Sequence, residues 1–168
     1  MRQVKYTNTI IGFREVPDEV SLCINISNCP NHCEGCHSPE LWDDIGIELT
    51  NDELEQLIKE NKGISCVCFM GGDNNSVRIN ELAKFVKSNH PELLTCWYSG
   101  CETLDEDTEL ENWNFIKLGP YIKSLGGLDS KYTNQVFYKI VMTPYENKHF
   151  EPIYKFEDIT YKFKRVND

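Results

Sequence analysis

The sequence predicts an α/β fold on a mostly parallel sheet, as one domain over residues 1–168. Three observations predict it. Short apolar runs recur along the chain, amphipathic helical segments alternate with the first of them, and each run stops at a turn rich in Gly, Ser or Pro. Strand, helix and strand in that order form βαβ units, and the crossover makes their strands parallel.

Taken in order, residues 4–19 read as an irregular or hairpin entry, with Gly12 and Pro17 as punctuation. Over residues 20–27, Leu22, Ile24 and Ile26 alternate with Cys23, Asn25 and Ser27, the period of two that marks a strand. Thr50 and Glu53 have the spacing of a capping box, and Leu49 and Leu54 stand at the staple positions of a helix start. Leu54, Leu57 and Ile58 give that helix its apolar stripe, and Gly63 suits its stop. Residues 64–70 form a short apolar run that fits a buried parallel strand, and Gly71-Gly72-Asp73 follows it. The next helix, residues 76–88, carries Ile79, Leu82, Phe85 and Val86 at helical spacing. Residues 93–98, 114–118 and 135–142 read as three more strands. The acidic segment 102–111 reads as a solvated loop or short helix, and residues 120–134 as a loop. Finally, Ile159, Tyr161 and Phe163 alternate with Thr160, Lys162 and Lys164, which predicts a half-exposed edge strand.

Composition removes several functions. A net charge of −10 argues against a nucleic-acid surface, and the basic segment 160–165 is too short to provide one. No stretch approaches the apolar length that crosses a membrane. Neither nucleic acid nor membrane is expected as a partner. The N-terminus lacks the long apolar run of a signal peptide, so the expected location is the cytoplasm. Eight cysteines in such a chain read as reduced thiols and metal ligands rather than as a disulfide framework.

Cys29, Cys33 and Cys36 have the spacing C-x3-C-x2-C, directly after the strand at 20–27. Three readings compete. A cubane iron–sulfur cluster takes one thiolate on each of three irons and leaves the fourth iron open to a small molecule. A structural zinc site needs a fourth ligand, for which His32 or His37 is available. Cys33 to His37 also matches the C-x-x-C-H haem pattern, although haem attachment belongs outside the cytoplasm. Ligands in open α/β sheets gather beyond the carboxyl ends of the strands. The cysteine loop, Gly71-Gly72-Asp73, Ser99-Gly100 and Gly119-Pro120 all fall at such ends, which favours the cubane.

C-x3-C-x2-C after a first strand, with Gly-Gly-Asp after the second, resembles the radical S-adenosylmethionine superfamily. That resemblance implies a small incomplete (βα) barrel and a [4Fe–4S] cluster on Cys29, Cys33 and Cys36. It also implies S-adenosylmethionine bound through its amine and carboxylate at the open iron. The position before the third cysteine, commonly aromatic in the superfamily, is Gly35 here, and His37 follows as a contact for the adenine side. Tyr98-Ser99-Gly100, Lys117-Leu118-Gly119-Pro120-Tyr121 and Thr133-Asn134-Gln135 resemble one branch, the activating enzymes of anaerobic (class III) ribonucleoside-triphosphate reductases. The likeness spans about residues 10–142. Where that branch commonly has Gly-Ser-Ser, this chain has Lys131-Tyr132-Thr133.

The implied activity is reductive cleavage of S-adenosylmethionine to a 5′-deoxyadenosyl radical, which generates a glycyl radical on the reductase partner. An electron donor such as flavodoxin or ferredoxin is implied as well. No catalytic side chain beyond the cluster ligands is expected. Gly35, Cys36, His37, Gly71, Gly72, Asp73 and Ser99 are the expected cofactor contacts. Asp73 has a second use as a helix cap, and Ser99 as a turn residue. Activation of another glycyl radical enzyme, a small-molecule radical enzyme and a zinc module are the alternatives. Cys23, Cys66, Cys68 and Cys96 read as core residues, Cys101 as a thiol near the site, and His90 and His149 as surface residues.

Overall fold

Alternating apolar residues at the chain's centre pair into the middle of one eight-stranded sheet in the computed structural model, which describes residues 3–143 and 151–164. The strands are β1 (Lys5–Gly12), β2 (Ser21–Ile26), β3 (Ile47–Glu48), β4 (Cys66–Met70), β5 (Leu94–Tyr98), β6 (Phe115–Leu118), β7 (Val136–Thr143) and β8 (Ile153–Asp158). Their order is β3-β1-β2-β4-β5-β6-β7-β8. β2, β4, β5 and β6 run parallel. β1 and β3 on one side, and β7 and β8 on the other, are antiparallel additions. The sheet is therefore partly rather than mostly parallel. The reason is connection length and content: a parallel return needs a crossover, usually helical, and no α-helix lies between β6 and β7.

Helices α1 (Asn51–Glu60) and α2 (Ser76–Asn89) supply the first two crossovers and cover one face. Their Leu54, Leu57, Ile58, Ile79, Leu82 and Val86 pack on Leu22, Ile24, Ile26, Val67, Phe69 and Ile116. Each such side chain contributes about 1.5–3 kcal/mol when fully buried. On the opposite face the alternate positions Cys23, Cys66, Cys68 and Cys96 pack with Phe115, Phe137, Val16 and Ile159. Cys23, Cys68 and Cys96 are in register on three neighbouring strands, so thiols form a row across the sheet.

Several local expectations are corrected. The Thr50 hydroxyl does accept from the Glu53 amide, but the Glu53 carboxylate accepts from the Tyr6 hydroxyl instead of closing a capping box. The acidic segment, by contrast, is the expected loop, ending in one 3-10 turn, Leu110–Asn112, with Leu104 and Leu110 packed against the core. Among the described residues the last strand is β8, and Thr160–Phe163 is a 3-10 turn. Asp158 Oδ1 accepts from both the amide and the hydroxyl of Thr160, which ends the strand there. Ile159 and Phe163 then pack at Phe137, while Tyr161 faces solvent. His90 is half-buried and bonds Glu55 at 2.7 Å, tying the end of α2 to α1. His149 lies outside the described residues. No helix among the described residues is long and apolar enough to cross a membrane.

Candidate metal centre

The chain leaves β2 at Ile26 and enters the cysteine loop through Asn28, whose φ is +59°. Residues 39–43 fold back over this loop and hold its start: the Asn28 amide donates to Asp43 O and the Cys29 amide to Leu41 O, both at 2.9 Å. Cys36 N donates to Cys33 O at 3.1 Å, which closes the loop's second turn. Gly35, within that turn, has φ +76°, and a Cβ there would meet Lys123 Cδ at 3.2 Å. The positive φ is a conformation that side chains other than glycine's rarely adopt, and a Cβ would also press on the Lys123 side chain, so glycine suits this turn.

Cys29, Cys33 and Cys36 are free and partly exposed, and all three line one cavity of about 620 Å³. Of the expected contacts, His37, Gly71, Asp73 and Ser99 line it too. Gly35 and Gly72 stand in the adjoining turns, Gly72 with Ile79 packed against its Cα. His37 tilts on Tyr121, ring centres 5.3 Å apart, and His32 turns aside to stack on Trp42 at 4.8 Å. A larger groove of about 970 Å³ around Phe13, Arg14, Lys162 and Phe163 shares Asp129 with this cavity and has no sulfur in its lining.

Asp73 is the hub of the cavity wall. Its carboxylate accepts from Asn31 Nδ2 at 2.7 Å, Ser99 Oγ at 2.6 Å and the Gly100 amide at 2.8 Å. It does not cap α2, whose first turn is capped by Asn75. Gly71 is engaged by β5 on both sides, donating to Tyr98 O and accepting from Trp97 Nε1. Asn31 Nδ2 also lies 3.7 Å from Cys29 Sγ, and the Ser38 amide donates to Cys36 Sγ at 3.4 Å. Such donors stabilise negative charge on thiolate sulfur.

Sequence reasoning missed Asn31, Lys117, Tyr121, the 126–130 loop and Gln135 as parts of this wall. Lys117 is only 7% exposed. Its ammonium donates to the carbonyls of Ser99 at 3.1 Å and Gly119 at 2.7 Å. Burial pushes its pKa down to about 8, and Asp73, Cys33 and Cys29 oppose the fall. One signal was available in the sequence: a lysine between Ile116 and Leu118 in an apolar strand. Cys101 is exposed beside the wall, and desolvation together with Asp73 pushes its thiol up rather than activating it.

The donor set fits an iron–sulfur cluster: three accessible sulfurs from one loop, two of them receiving N–H donors, around a cavity with room for a group and a ligand. Among the described residues no three or more His, Cys, Asp or Glu are grouped to hold a single metal ion. A cubane takes each thiolate at a different iron.

The family model of the 4Fe-4S single cluster domain matches residues 18–136. The chain belongs to that family and is an iron–sulfur protein. No curated protein and no solved structure matches it.

Proposed function

We propose that this protein is a radical S-adenosylmethionine activase that generates the glycyl radical of an anaerobic ribonucleoside-triphosphate reductase. In this reading the sheet curves as part of a small incomplete barrel, and Cys29, Cys33 and Cys36 hold the [4Fe–4S] cluster. The observation that carries it is the convergence of those three sulfurs with His37, Asp73 and Ser99 on one cavity beyond the carboxyl ends of parallel strands. The family match to a single-cluster 4Fe-4S domain supports the same reading.

Cys29, Cys33 and Cys36 would hold the cluster, which when bound would supply the one-electron chemistry for reductive cleavage of S-adenosylmethionine and, through it, hydrogen abstraction from a partner glycine. The chain's own residues ligate, orient and shield. The Asp73 hub fixes the cysteine loop against the turns after β4 and β5. His37 and Tyr121 offer flat faces for an adenine, and Gln135 and the 126–130 loop line the same cavity. The partners of this activity are the glycyl radical subunit and a low-potential electron donor of the flavodoxin or ferredoxin kind.

Electron paramagnetic resonance on the anaerobically reconstituted protein, with S-adenosylmethionine, reductant and the reductase, tests the reading. A glycyl doublet is the expected result. An intact, reducible cluster with no doublet sinks the activase assignment, and a preparation that takes up zinc but no cluster sinks the cofactor assignment.

A further inference from the structure

A buried lysine normally faces a carboxylate, because an unpaired charge away from water is costly. Lys117 has Asp73 nearby, but among the described residues it forms no ion pair with that carboxylate or any other. The nearby Asp73 is already occupied by Asn31, Ser99 and Gly100. Two of the three ammonium hydrogens are spent on the carbonyls of Ser99 and Gly119, which fix the group in the cavity wall. The groups it faces are the three-cysteine cavity, Tyr98 with its ring centre 6.0 Å away, and Asp73. Cys29, Cys33 and Cys36 share the cavity wall with this ammonium.

We propose that Lys117 is a positioning residue that supplies the fixed positive charge of the cluster cavity and raises the reduction potential of the cluster. This rests on the cluster assignment above, and it concerns how readily that cluster accepts an electron. Reduction adds one negative charge to a site already carrying three thiolates. An electron from dithionite enters the cluster, no bond is made or broken, and the ammonium stabilises the reduced form more than the oxidised one. Potentials of such clusters respond to local charge in this way.

The test compares wild type, Lys117→Gln and Lys117→Arg, each reconstituted anaerobically with iron and sulfide and titrated with dithionite under electron paramagnetic resonance. Gln retains a donor for the carbonyls and loses the charge; Arg retains the charge. The equilibrium constant for cluster reduction is expected to fall at least about tenfold in Lys117→Gln, a shift of about 59 mV for one electron, and to stay near wild type in Lys117→Arg. Loss of the cluster in Gln but not in Arg supports the same electrostatic role. Equal potentials in Gln and wild type overturn the proposal. Cluster loss in both variants also overturns it, because the side chain is then needed for packing. A wild-type protein that assembles no cluster fails the cofactor assignment instead, so the two failures are distinguishable.

Discussion

Asn31 and Asp73, forty-two residues apart, are joined by a 2.7 Å hydrogen bond that ties the cysteine loop to the turn after β4. The same amide nitrogen points its second hydrogen toward Cys29 Sγ at 3.7 Å. A carboxylate, an amide and a thiol thus form one chain. Replacing Asp73 by Asn puts an N–H among three donors that all need an acceptor. The cluster-free protein should lose about 1–3 kcal/mol in urea unfolding, and iron bound per chain after reconstitution should fall with it. Wild-type stability and loading in Asp73→Asn would show that the hub is dispensable.

Gly100 lies against Asn31: a Cβ at this position would come within 2.4 Å of Asn31 Nδ2. The clash meets the tip of a side chain, so Gly100→Ala should cost little stability, about 1 kcal/mol or less. It should nevertheless turn Asn31 away from Asp73 and Cys29. Iron content should drop as in Asn31→Ala, and the double variant should be no worse than either single. Additive losses in that cycle would mean the two residues act independently.

The eight thiols divide by environment. Cys23, Cys66, Cys68 and Cys96 are fully buried, whereas Cys29, Cys33 and Cys36 are partly exposed and Cys101 is exposed. In the cluster-free folded protein, four thiols should react readily with Ellman's reagent. The other four should react more than about a hundredfold more slowly, because the sheet must open first. Rapid reaction of all eight would contradict the packing of the sulfur row.

The same row makes the fold sensitive to alkali. Burial pushes Cys66 up to about 12 and Cys96 to about 11, and it raises Cys68 as well. Hydrogen bonding to Cys68 and burial raise Cys23. Above the ordinary thiol value of about 8.5, the unfolded chain releases protons that the folded chain keeps. Stability then falls by about 1.4 kcal/mol per pH unit per thiol, until the folded value is passed. Lys87 and Lys117, whose folded values are lowered by burial, act in the opposite direction over part of this range. Four thiols outweigh two amines, so the urea midpoint of the cluster-free protein under reducing conditions should be lower at pH 10 than at pH 8. An equal or higher midpoint at pH 10 would contradict this balance.

On the proposed function, replacing Cys29, Cys33 or Cys36 by Ala should abolish both the cluster and activation. His37→Ala should leave the cluster in place and weaken S-adenosylmethionine binding roughly tenfold, since a single ring contact of this kind is worth about 0.5–1.5 kcal/mol. Cluster loss in His37→Ala, read from iron content, would instead make His37 a ligand.

Much of the fold was legible because its signals are local. The period of two over residues 20–27, the cap at Thr50 and the apolar stripe of α2 each lie within a few residues, and the structure has elements at those places. The Glu53 carboxylate was misassigned because its actual partner, Tyr6, is forty-seven residues away. The alternation at 159–163 matched a strand, but the Asp158–Thr160 bonds and burial at Phe137 shape it as a turn.

By itself the sequence determined that three cysteines lie on one loop after a strand, and that two helical crossovers build a parallel centre. Spacing and periodicity carry those facts. Only the tertiary structure decided that β7 and β8 return antiparallel, since alternation marks a strand without giving its direction. It alone brought Lys117, Gln135 and the 126–130 loop to the cysteines, and gave Asp73 to Asn31, Ser99 and Gly100. Those contacts join residues far apart in sequence, and no local pattern records which side chains a sheet will bring together at its carboxyl edge.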